Sequence, residues 1–285
     1  MKEQVQEIRI TELHPFRNHP FYVKDDESMQ ALCDSIREYG VLSPLLARPT
    51  GEGYEIVSGH RRRSAALKLG LEKLPVLVRE MTDDEAIILM VDSNIQRENL
   101  LPSEKAFAYK MKLEAMKRQS GRPKKNSPQV ASNYRSDDAL AQQEGISGDT
   151  VRRYIRLTNL AKPILELVDE GRIAFSPGVE LSYLTKLEQA ELWDIMQSED
   201  CTPSLSQAVR LKKLSQSGQL DPEKILEIMS EEKANQKERV RIEVSQIRKY
   251  FPKGYTSHQM EEKILQMLEA KYKNGSAARM HAKPP

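Results

Sequence analysis

Two spacings of apolar residues alternate along the first 116 positions of the chain. Ile8 and Ile10 are separated by one charged residue, which is the spacing of a half-buried β-strand. Met29, Cys33 and Ile36 recur every three to four positions, which is the spacing of a helix with one buried face. Because both spacings recur, the sequence predicts an α+β domain. We expect strands at 8–10, 42–47, 54–58 and 74–78, helices at 26–39, 60–69, 82–93 and 102–117, and a loop at 14–20.

After residue 136 only the helical spacing remains. A first helix begins near Ser136, a tight turn follows at 145–147, and a second helix runs from Gly148 to Asn159. The apolar positions of the second helix lie on one face and its basic positions on the other, which is the pattern of a helix-turn-helix. Short helices continue to about residue 230, interrupted by a turn predicted at Ser176-Pro177-Gly178. This region is therefore predicted to be all α-helical.

The last part of the chain, 231–285, begins with a highly charged stretch and contains one amphipathic helix. Thr256 and Gln259 predict the start of that helix as a capping box. Its apolar side, which runs from Met260 to Leu268, must be buried against another surface. Two arrangements meet this requirement: packing on its own domain, or packing on a second copy of the chain.

The charged residues nearly cancel, since 44 Lys and Arg stand against 42 Asp and Glu for a net charge of +2. Affinity for nucleic acid must therefore come from local basic patches. The two cysteines, Cys33 and Cys201, lack the spacing of a disulfide framework or a zinc site. No apolar run in the sequence reaches the roughly 18 residues of a membrane span, and the charged N-terminus lacks a signal-peptide pattern. We therefore expect a cytoplasmic protein with no membrane partner.

The segment 117–136 joins the two predicted domains and carries six basic residues and no acidic residue. Its Pro, Gly and polar residues cannot bury enough apolar surface to fold alone. Two interpretations stay open: a flexible surface insertion, or an arm that contacts DNA. In the second, Arg122 enters a narrow minor groove in the manner of an AT-hook, while Lys124 and Lys125 contact phosphates.

The clearest candidate site is Gly59-His60-Arg61-Arg62-Arg63, which joins a predicted strand to a predicted helix. Glycine adopts backbone angles that other residues resist, so the chain can turn sharply at this point. Free backbone N–H groups, the positive end of the helix dipole and guanidinium groups would then face one place. A polyphosphate is the anion that fits best, and the alternative is a basic helix start with no ligand.

A second polar stretch, Asn94-Ile95-Gln96-Arg97-Glu98, follows a predicted helix. The Asn94 carbonyl oxygen suits a hard cation, and the Arg97 guanidinium suits a phosphate. Taken alone, this stretch has the composition of an exposed helix end.

Three motifs, Gly40 to Leu45, Gly59 to Ala66 and Asn94 to Ala106, occur in an order and spacing that resemble ParB-type partition proteins. Chromosomes, plasmids and mobile elements carry such proteins, and the resemblance covers about residues 6–190. It implies a ParB/sulfiredoxin-like N-terminal domain that binds CTP with Mg²⁺ and closes a dimeric clamp on DNA. It also implies an inverted-repeat site in double-stranded DNA, a homodimer joined at the C-termini, a ParA-type ATPase as partner and association with the nucleoid.

The resemblance also implies roles for individual residues. Asn94 would lie at the metal. The nucleotide-binding residues that it implies are Ser43, Gly59, His60, Arg61, Arg62, Arg63, Gln96, Arg97 and Glu98.

Two positions depart from the family pattern. His60 and Ser93 stand where the family usually has glutamates that serve magnesium binding and hydrolysis. Neither a neutral imidazole nor a hydroxyl replaces a carboxylate at Mg²⁺. We therefore expect nucleotide binding with at most weak CTP hydrolysis, and the choice between CTP and ATP stays open. Sulfiredoxin has a similar Ser-Gly-His-Arg run, but its chemistry needs a cysteine where this chain has Gly59.

In a helix-turn-helix the second helix enters the major groove with its N-terminus first. Arginine on guanine is the commonest specific contact, so arginines on this helix are candidates for reading sequence. The predicted DNA-binding residues here are Ser147, Asp149, Thr150, Arg152, Arg153 and Arg156.

Three other functions stay open: a DNA-binding regulator of transcription or plasmid replication without nucleotide turnover, a nuclease, and a scaffold that does not contact DNA. The nuclease is disfavoured because the sequence offers no carboxylate cluster for two metal ions. The predicted segments are 1–116 for the nucleotide domain, 117–136 for the linker, 137–230 for the helix-turn-helix domain and 231–285 for a dimerisation segment.

Overall fold

The computed structural model of the protein describes residues 5–97, 99–119 and 136–231, together with 247–252, 254–256, 259–260 and 262–268. The chain forms two compact units, Met1–Glu231 and Glu232–Pro285. Most of the predicted basic arm, including Arg122, Lys124 and Lys125, lies outside the described residues.

A five-stranded mixed sheet forms the base of the N-terminal part. Its strands are β1 (Val5–Arg9), β2 (Leu13–His14), β3 (Leu45–Thr50), β4 (Gly53–Ser58) and β5 (Lys73–Val78), in the order β1-β5-β3-β4-β2. The pairs β1–β5 and β3–β4 are antiparallel, whereas β3–β5 and β2–β4 are parallel. The helices of this part are α1 (Glu27–Tyr39), α2 (His60–Lys68), α3 (Asp83–Ile95) and α4 (Pro102–Gln119). The predicted α+β class of the N-terminal part is confirmed.

Side-chain caps begin α1 and α3. The Asp26 carboxylate accepts a hydrogen bond from the Met29 N–H at 3.0 Å and starts α1. At α3, Thr82 and Glu85 form both halves of the predicted capping box. Such caps stabilise a helix by about 1 kcal/mol each. Because α1 begins and α3 ends beside the candidate site, these caps help to fix its geometry.

The predicted loop over 14–20 begins one residue later than expected, because His14 belongs to strand β2. Leu13 and His14 pair in parallel with Tyr54 and Glu55 of β4. A strand of two residues has no measurable alternation, so the sequence pattern could not reveal it. The preceding Ile10–Glu12 forms a 3-10 turn, which turns the chain from β1 at one edge of the sheet to β2 at the other.

Seven helices make up the described region from 136 to 231. They are α5 (Ser136–Glu144), α6 (Gly148–Leu157), α7 (Lys162–Asp169), α8 (Phe175–Leu181), α9 (Lys186–Ser198), α10 (Leu205–Gln216) and α11 (Pro222–Ser230). Leu157, Ile164, Leu181, Leu192 and Ile225 are fully buried in one cluster that draws on α6 to α11. This part is therefore mostly helical, as predicted.

The turn predicted at Ser176-Pro177-Gly178 is wrong, because these residues lie inside α8. Proline is tolerated in the first turn of a helix, where its missing N–H has no intrahelical partner to lose. Gly178 does not reverse the chain but allows close packing, because a Cβ there would lie 2.9 Å from Cγ2 of Val168. The glycine thus lets α8 approach α7 closely.

Helix α4 takes part in two apolar clusters. Ala108, Tyr109 and Leu113 pack with residues of α3, α5 and α6. Ala106 instead belongs to the cluster formed by α6 to α11. At its N-terminus, the Ser103 N–H and hydroxyl both donate to the carboxylate of Asp169 at the end of α7, at 2.9 and 2.5 Å. Helix α4 therefore connects the sheet-bearing part to the helical part within the larger unit.

A buried ammonium ties three of these helices together. Lys112 of α4 is only 2% exposed, and its Nζ lies 2.5 Å from Asp92 of α3 and 2.8 Å from Glu144 of α5. The Glu144 side chain is itself only 7% exposed. Removing one partner from a buried ion pair leaves an uncompensated charge, and this costs more than the pair contributes.

Lys112→Met should lower the free energy of unfolding by about 3–5 kcal/mol, because Glu144 is left buried without its cation. The double variant Lys112→Met/Glu144→Leu should recover most of this loss. Urea denaturation followed by circular dichroism measures both, with Lys117→Met on the exposed side of α4 as control. A single variant as stable as the control would show that the ion network does not join these helices.

The smaller unit is described only in part. Thr256 and Gln259 make the predicted capping box, in which the Gln259 side chain accepts from Thr256 N at 2.9 Å. Met260 is buried, whereas Leu265, Met267 and Leu268 are exposed. Across the described residues, no helix is both long and apolar enough to span a bilayer.

Candidate functional site

Gly59 makes the turn on which the candidate site depends. Its φ of +109° is strained for other residues, and a Cβ there would lie 2.8 Å from Cγ of Leu45. The turn places the N-terminus of α2 directly after β4, and Gly59, the residue before the helix, has no side chain to cap the first N–H groups. These uncapped N–H groups and the helix dipole favour a negatively charged ligand.

Two cavities of about 470 and 490 Å³ meet beside this helix start. They share Ser28, Arg61 and Arg97 in their walls. The first is also lined by Gly59, Arg62, Ser93 and Asn94, and the second by Lys24, Asp26, Asn99 and Glu104. Arg61 and Arg97 belong to two separate sequence motifs and are 36 positions apart. The fold brings both to one groove.

The two shared arginines carry like charges close together. Burial lowers the pKa of Arg97, and the positive charge of Arg61 lowers it further, while the Glu104 carboxylate acts in the opposite direction. The Arg61 Nε is buried with no hydrogen-bond partner among the described residues. Two guanidinium groups that repel each other in a partly buried groove are stabilised by a polyanion between them.

Glu104 does not neutralise this groove fully. Its carboxylate is buried and accepts from the backbone N–H groups of Tyr22 at 2.7 Å and Leu101 at 2.8 Å. It therefore holds the segment around Tyr22 against the start of α4. On the other wall, Arg61 donates to the Ser28 hydroxyl at 2.6 Å, and Ser28 donates to Asp26 at the start of α1.

Arg62 and Ser43 form a structural contact beside the groove. The Arg62 guanidinium donates to the carbonyl oxygens of Ser43 and Pro44, at 2.5 and 2.8 Å. Burial lowers the pKa of Arg62. Arg62 thus fixes the loop before β3 against α2 while it lines the first cavity.

The rings of His60 and His19 contact each other, with centroids 3.9 Å apart and planes tilted by 42°. The Phe16 N–H donates to Nε2 of His60 at 3.2 Å, so Nε2 carries no proton. Burial, then His19, Arg63 and Arg97, lower the pKa of His60 from 6.5 to about 3. The ring is therefore neutral and packs against Phe16 and His19. Arg63 lies near this pair, and its Nε is buried with no hydrogen-bond partner among the described residues.

The end of α3 supplies neutral oxygen atoms to the groove. The Asn94 amide nitrogen donates to Met90 O at 2.8 Å and to Ser93 Oγ at 3.1 Å, which leaves the Asn94 carbonyl oxygen for other partners. Within the described part of the chain, no group of three or more His, Cys, Asp or Glu is placed to hold a metal. These residues do not fit a Mg²⁺ site by themselves, because Mg²⁺ in proteins is usually held by carboxylates and ligand phosphates.

One other predicted nucleotide-binding residue lies away from the groove, and another cannot be placed. Gln96 lines a different cavity, beside Lys112 and Glu144. Glu98 lies outside the described residues. Conversely, Ser28 and Lys24 line the groove although the sequence analysis did not select them. The only local signal was the cap sequence Asp26-Glu27-Ser28, and nothing in it indicates a neighbour on α2.

Helix α6 carries the predicted DNA-binding residues. Ser147 caps the helix by accepting from Thr150 N at 3.1 Å, and the two hydroxyls are 2.8 Å apart. Arg153 donates to Ser176 at 2.8 Å and Arg156 to Ser182 O at 3.1 Å, so α8 and its end orient both. Arg152 and Asp149 lie on the more exposed side, 3.9 Å apart.

Comparison with known proteins places this architecture in a family. The ParB N-terminal domain family matches residues 1–95. The probable chromosome 1-partitioning protein ParB of Deinococcus radiodurans is 36% identical over 210 residues, which are 74% of this chain and 66% of that protein. The chromosome-partitioning protein Spo0J of Thermus thermophilus is 33% identical over 208 residues, which are 73% of this chain and 70% of that protein. The chain thus spans about two thirds of the length of these relatives.

Two crystal structures of C-terminally truncated ParB from Caulobacter crescentus are also similar. The complex with the centromeric parS site is 23% identical, with a TM-score of 0.42, and the match covers 73% of this chain and 98% of that chain. The complex with CTP-γ-S is 27% identical, with a TM-score of 0.31, and the match covers 63% and 92%. From the sequence relatives and the domain match, this chain belongs to the ParB family of partition proteins.

The His60 pKa predicts how stability depends on pH. In the unfolded chain the imidazole gains a proton near its ordinary pKa of 6.5, whereas in the folded chain it does so only near 3. The contribution of His60 to the free energy of unfolding is therefore fully present above about pH 6.5. It is lost as the pH falls toward 3, by at most about 1.4 kcal/mol per pH unit. His60→Gln should flatten the decline of the melting temperature between about pH 7 and 5.

The exposed residue His14 offers the matched control, because its ring lies outside the His60–His19 contact and contacts Glu52 O. Melting curves of the wild type, His60→Gln and His14→Gln across this pH range compare the slopes directly. If the His60 and His14 variants decline in parallel, His60 is not held neutral by the fold.

Proposed function

We propose that this chain is a nucleotide-gated, site-specific DNA-binding protein of chromosome partition. The observation that carries the proposal is the pair Arg61 and Arg97, which face one groove at the uncapped start of α2. A triphosphate supplies the negative charge that this groove lacks, through charge-assisted hydrogen bonds and the helix N-terminus. The names of the relatives, which are chromosome-partitioning proteins, support the biological role.

CTP is the nucleotide that we propose, from the family resemblance of the three motifs. Arg61 and Arg97 would bind the phosphates, and Arg62 would hold the loop with Ser43 in place. Asn94 would offer its carbonyl oxygen to a Mg²⁺ ion carried mainly by the phosphates, which would offset their charge. Because His60 and Ser93 replace glutamates of the family pattern, we propose nucleotide binding with slow hydrolysis or none.

The proposed DNA binding depends on α5 and α6 acting as a helix-turn-helix. Helix α6 would enter the major groove, with Ser147 and Thr150 near phosphates and Arg153 oriented by Ser176 toward base edges. A homodimer joined by the exposed apolar side chains Leu265, Met267 and Leu268 would place two such helices on an inverted repeat. Nucleotide binding would then close the N-terminal parts around DNA at the nucleoid, with a ParA-type ATPase as partner.

A regulator that binds DNA without nucleotide is the second candidate, and His60 and Ser93 favour it. The two candidates differ in one measurement, which is saturable binding of CTP to the intact protein. The regulator requires no such binding, whereas the partition clamp requires it.

Arg97→Ala and Arg61→Ala should each weaken CTP binding by about ten- to hundredfold, because each removes a charged hydrogen-bond donor from the groove. Isothermal titration of the wild type and both variants with CTP and Mg²⁺ gives the affinities, and ATP serves as the competing nucleotide. Arg37→Ala is the matched control, since Arg37 is exposed on α1 and pairs with Asp34. No saturable binding by the wild type would leave the regulator as the function.

A further inference from the structure

The exposed arginine of α6 is surrounded by carboxylates. Nη1 of Arg152 lies 2.6 Å from Asp137 of α5 and 3.9 Å from Asp138, and its Nη2 lies 3.9 Å from Asp149. With three carboxylates within 4 Å of its guanidinium, the positive charge of Arg152 is offset within the protein. Arg152 is 46% exposed, so it is accessible to solvent on the predicted DNA-facing side.

A glycine makes this arrangement possible. A Cβ on Gly148 would overlap the Oδ1 atom of Asp138 and lie 3.3 Å from Nη1 of Arg152. The carboxylate of Asp138 therefore rests against the first residue of α6.

The other two arginines of α6 have different surroundings. Arg153 donates to the Ser176 hydroxyl and lies 5.1 Å from the Phe175 ring centroid. Arg156 donates to Ser182 O and lies 3.9 Å from the Tyr183 ring centroid. These described partners are neutral, so both guanidinium groups keep a full positive charge. Arg152 differs from them in having its charge cancelled within the protein.

We propose that Asp137 and Asp138 are specificity-determining residues that compete with DNA phosphates for Arg152. This inference rests on the proposed DNA-binding function. On DNA of arbitrary sequence, affinity comes from phosphate contacts alone, and the carboxylates remove one of those contacts. On the cognate site, base contacts fix α6 in one register, so less of the affinity depends on a phosphate contact at Arg152. The two aspartates therefore raise the ratio of specific to non-specific affinity.

The test compares Asp137→Asn/Asp138→Asn with the wild type by fluorescence anisotropy on two labelled duplexes. One duplex has an arbitrary sequence, and the other is the sequence that the wild type enriches from a randomised pool. The double variant should bind the arbitrary duplex about tenfold more tightly, with a salt dependence steeper by about one unit of log K against log salt. Its discrimination between the two duplexes should fall by a similar factor.

Two further variants separate this competition from a general gain of charge. Asp194→Asn on α9 combined with Glu199→Gln at the C-cap of α9 raises the net charge equally. This control should leave the affinity for the arbitrary duplex within about twofold of wild type. Adding Arg152→Ala to the aspartate double variant should abolish its gain in affinity for the arbitrary duplex. Gly148→Ala displaces the Asp138 carboxylate without removing it, so it should give part of the gain in affinity. This variant replaces the double variant in the test if the double variant does not fold.

The proposed competition is wrong if the gain in affinity for the arbitrary duplex persists without Arg152. It is also wrong if the control variant with Asp194→Asn and Glu199→Gln shows an equal gain. The same holds if the double variant, shown by circular dichroism to be folded, binds the arbitrary duplex no more tightly than wild type. A wild type that binds no duplex at all instead overturns the proposed DNA-binding function. The two failures are therefore distinguishable.

Discussion

The ammonium group of Lys112 is held between Asp92 and Glu144, and the larger unit of the protein is arranged around this contact. It joins the last turns of α3 to α4 and to α5. Asp92 directly precedes Ser93 and Asn94, which line the first cavity. Glu144 ends the helix before α6. A buried charge must keep its partners, so the groove and α6 are connected through a contact that resists being broken.

The arginines of the groove have separate tasks despite being neighbours in the sequence. Arg62 supports the loop before β3, and Arg61 faces the groove with Arg97. This division follows from the helix, because successive residues differ by about 100° in direction and therefore have different surroundings. The contact of His19 with His60 adds a neutral, buried surface behind the helix start.

Local signals in the sequence were sufficient for the elements with strong periodicity or caps. Helix α3 begins at the predicted Thr82–Glu85 capping box, and the Gly59 turn has the positive φ that its position required. Elements that depend on contacts with distant segments of the chain could not be predicted from local signals. Strand β2 exists because β4 lies beside it, and Ser176-Pro177-Gly178 is helical because Gly178 fits against Val168.

The same distinction applies to the candidate site. The motifs selected Arg61 and Arg97 from charge and helix position, which are local properties, and the fold brings both residues to one groove. Ser28 joins them only because the sheet brings the start of α1 to the start of α2. Gln96 was selected from its neighbours in sequence, but the end of α3 directs it to the side of Lys112.

The position of α4 in both apolar clusters has a consequence for how such chains can diversify. Ala106 packs with α6 to α11, while Tyr109 and Leu113, one turn or two further along, pack with α3, α5 and α6. Exchange of the helical part between relatives by recombination near residue 120 would pair one chain's α4 with another chain's α5 to α7. Since interiors are packed to nearly crystalline density, such hybrids would fit only where the two parental α4 surfaces already match. Inheritance should therefore keep α4 together with the helices that follow it.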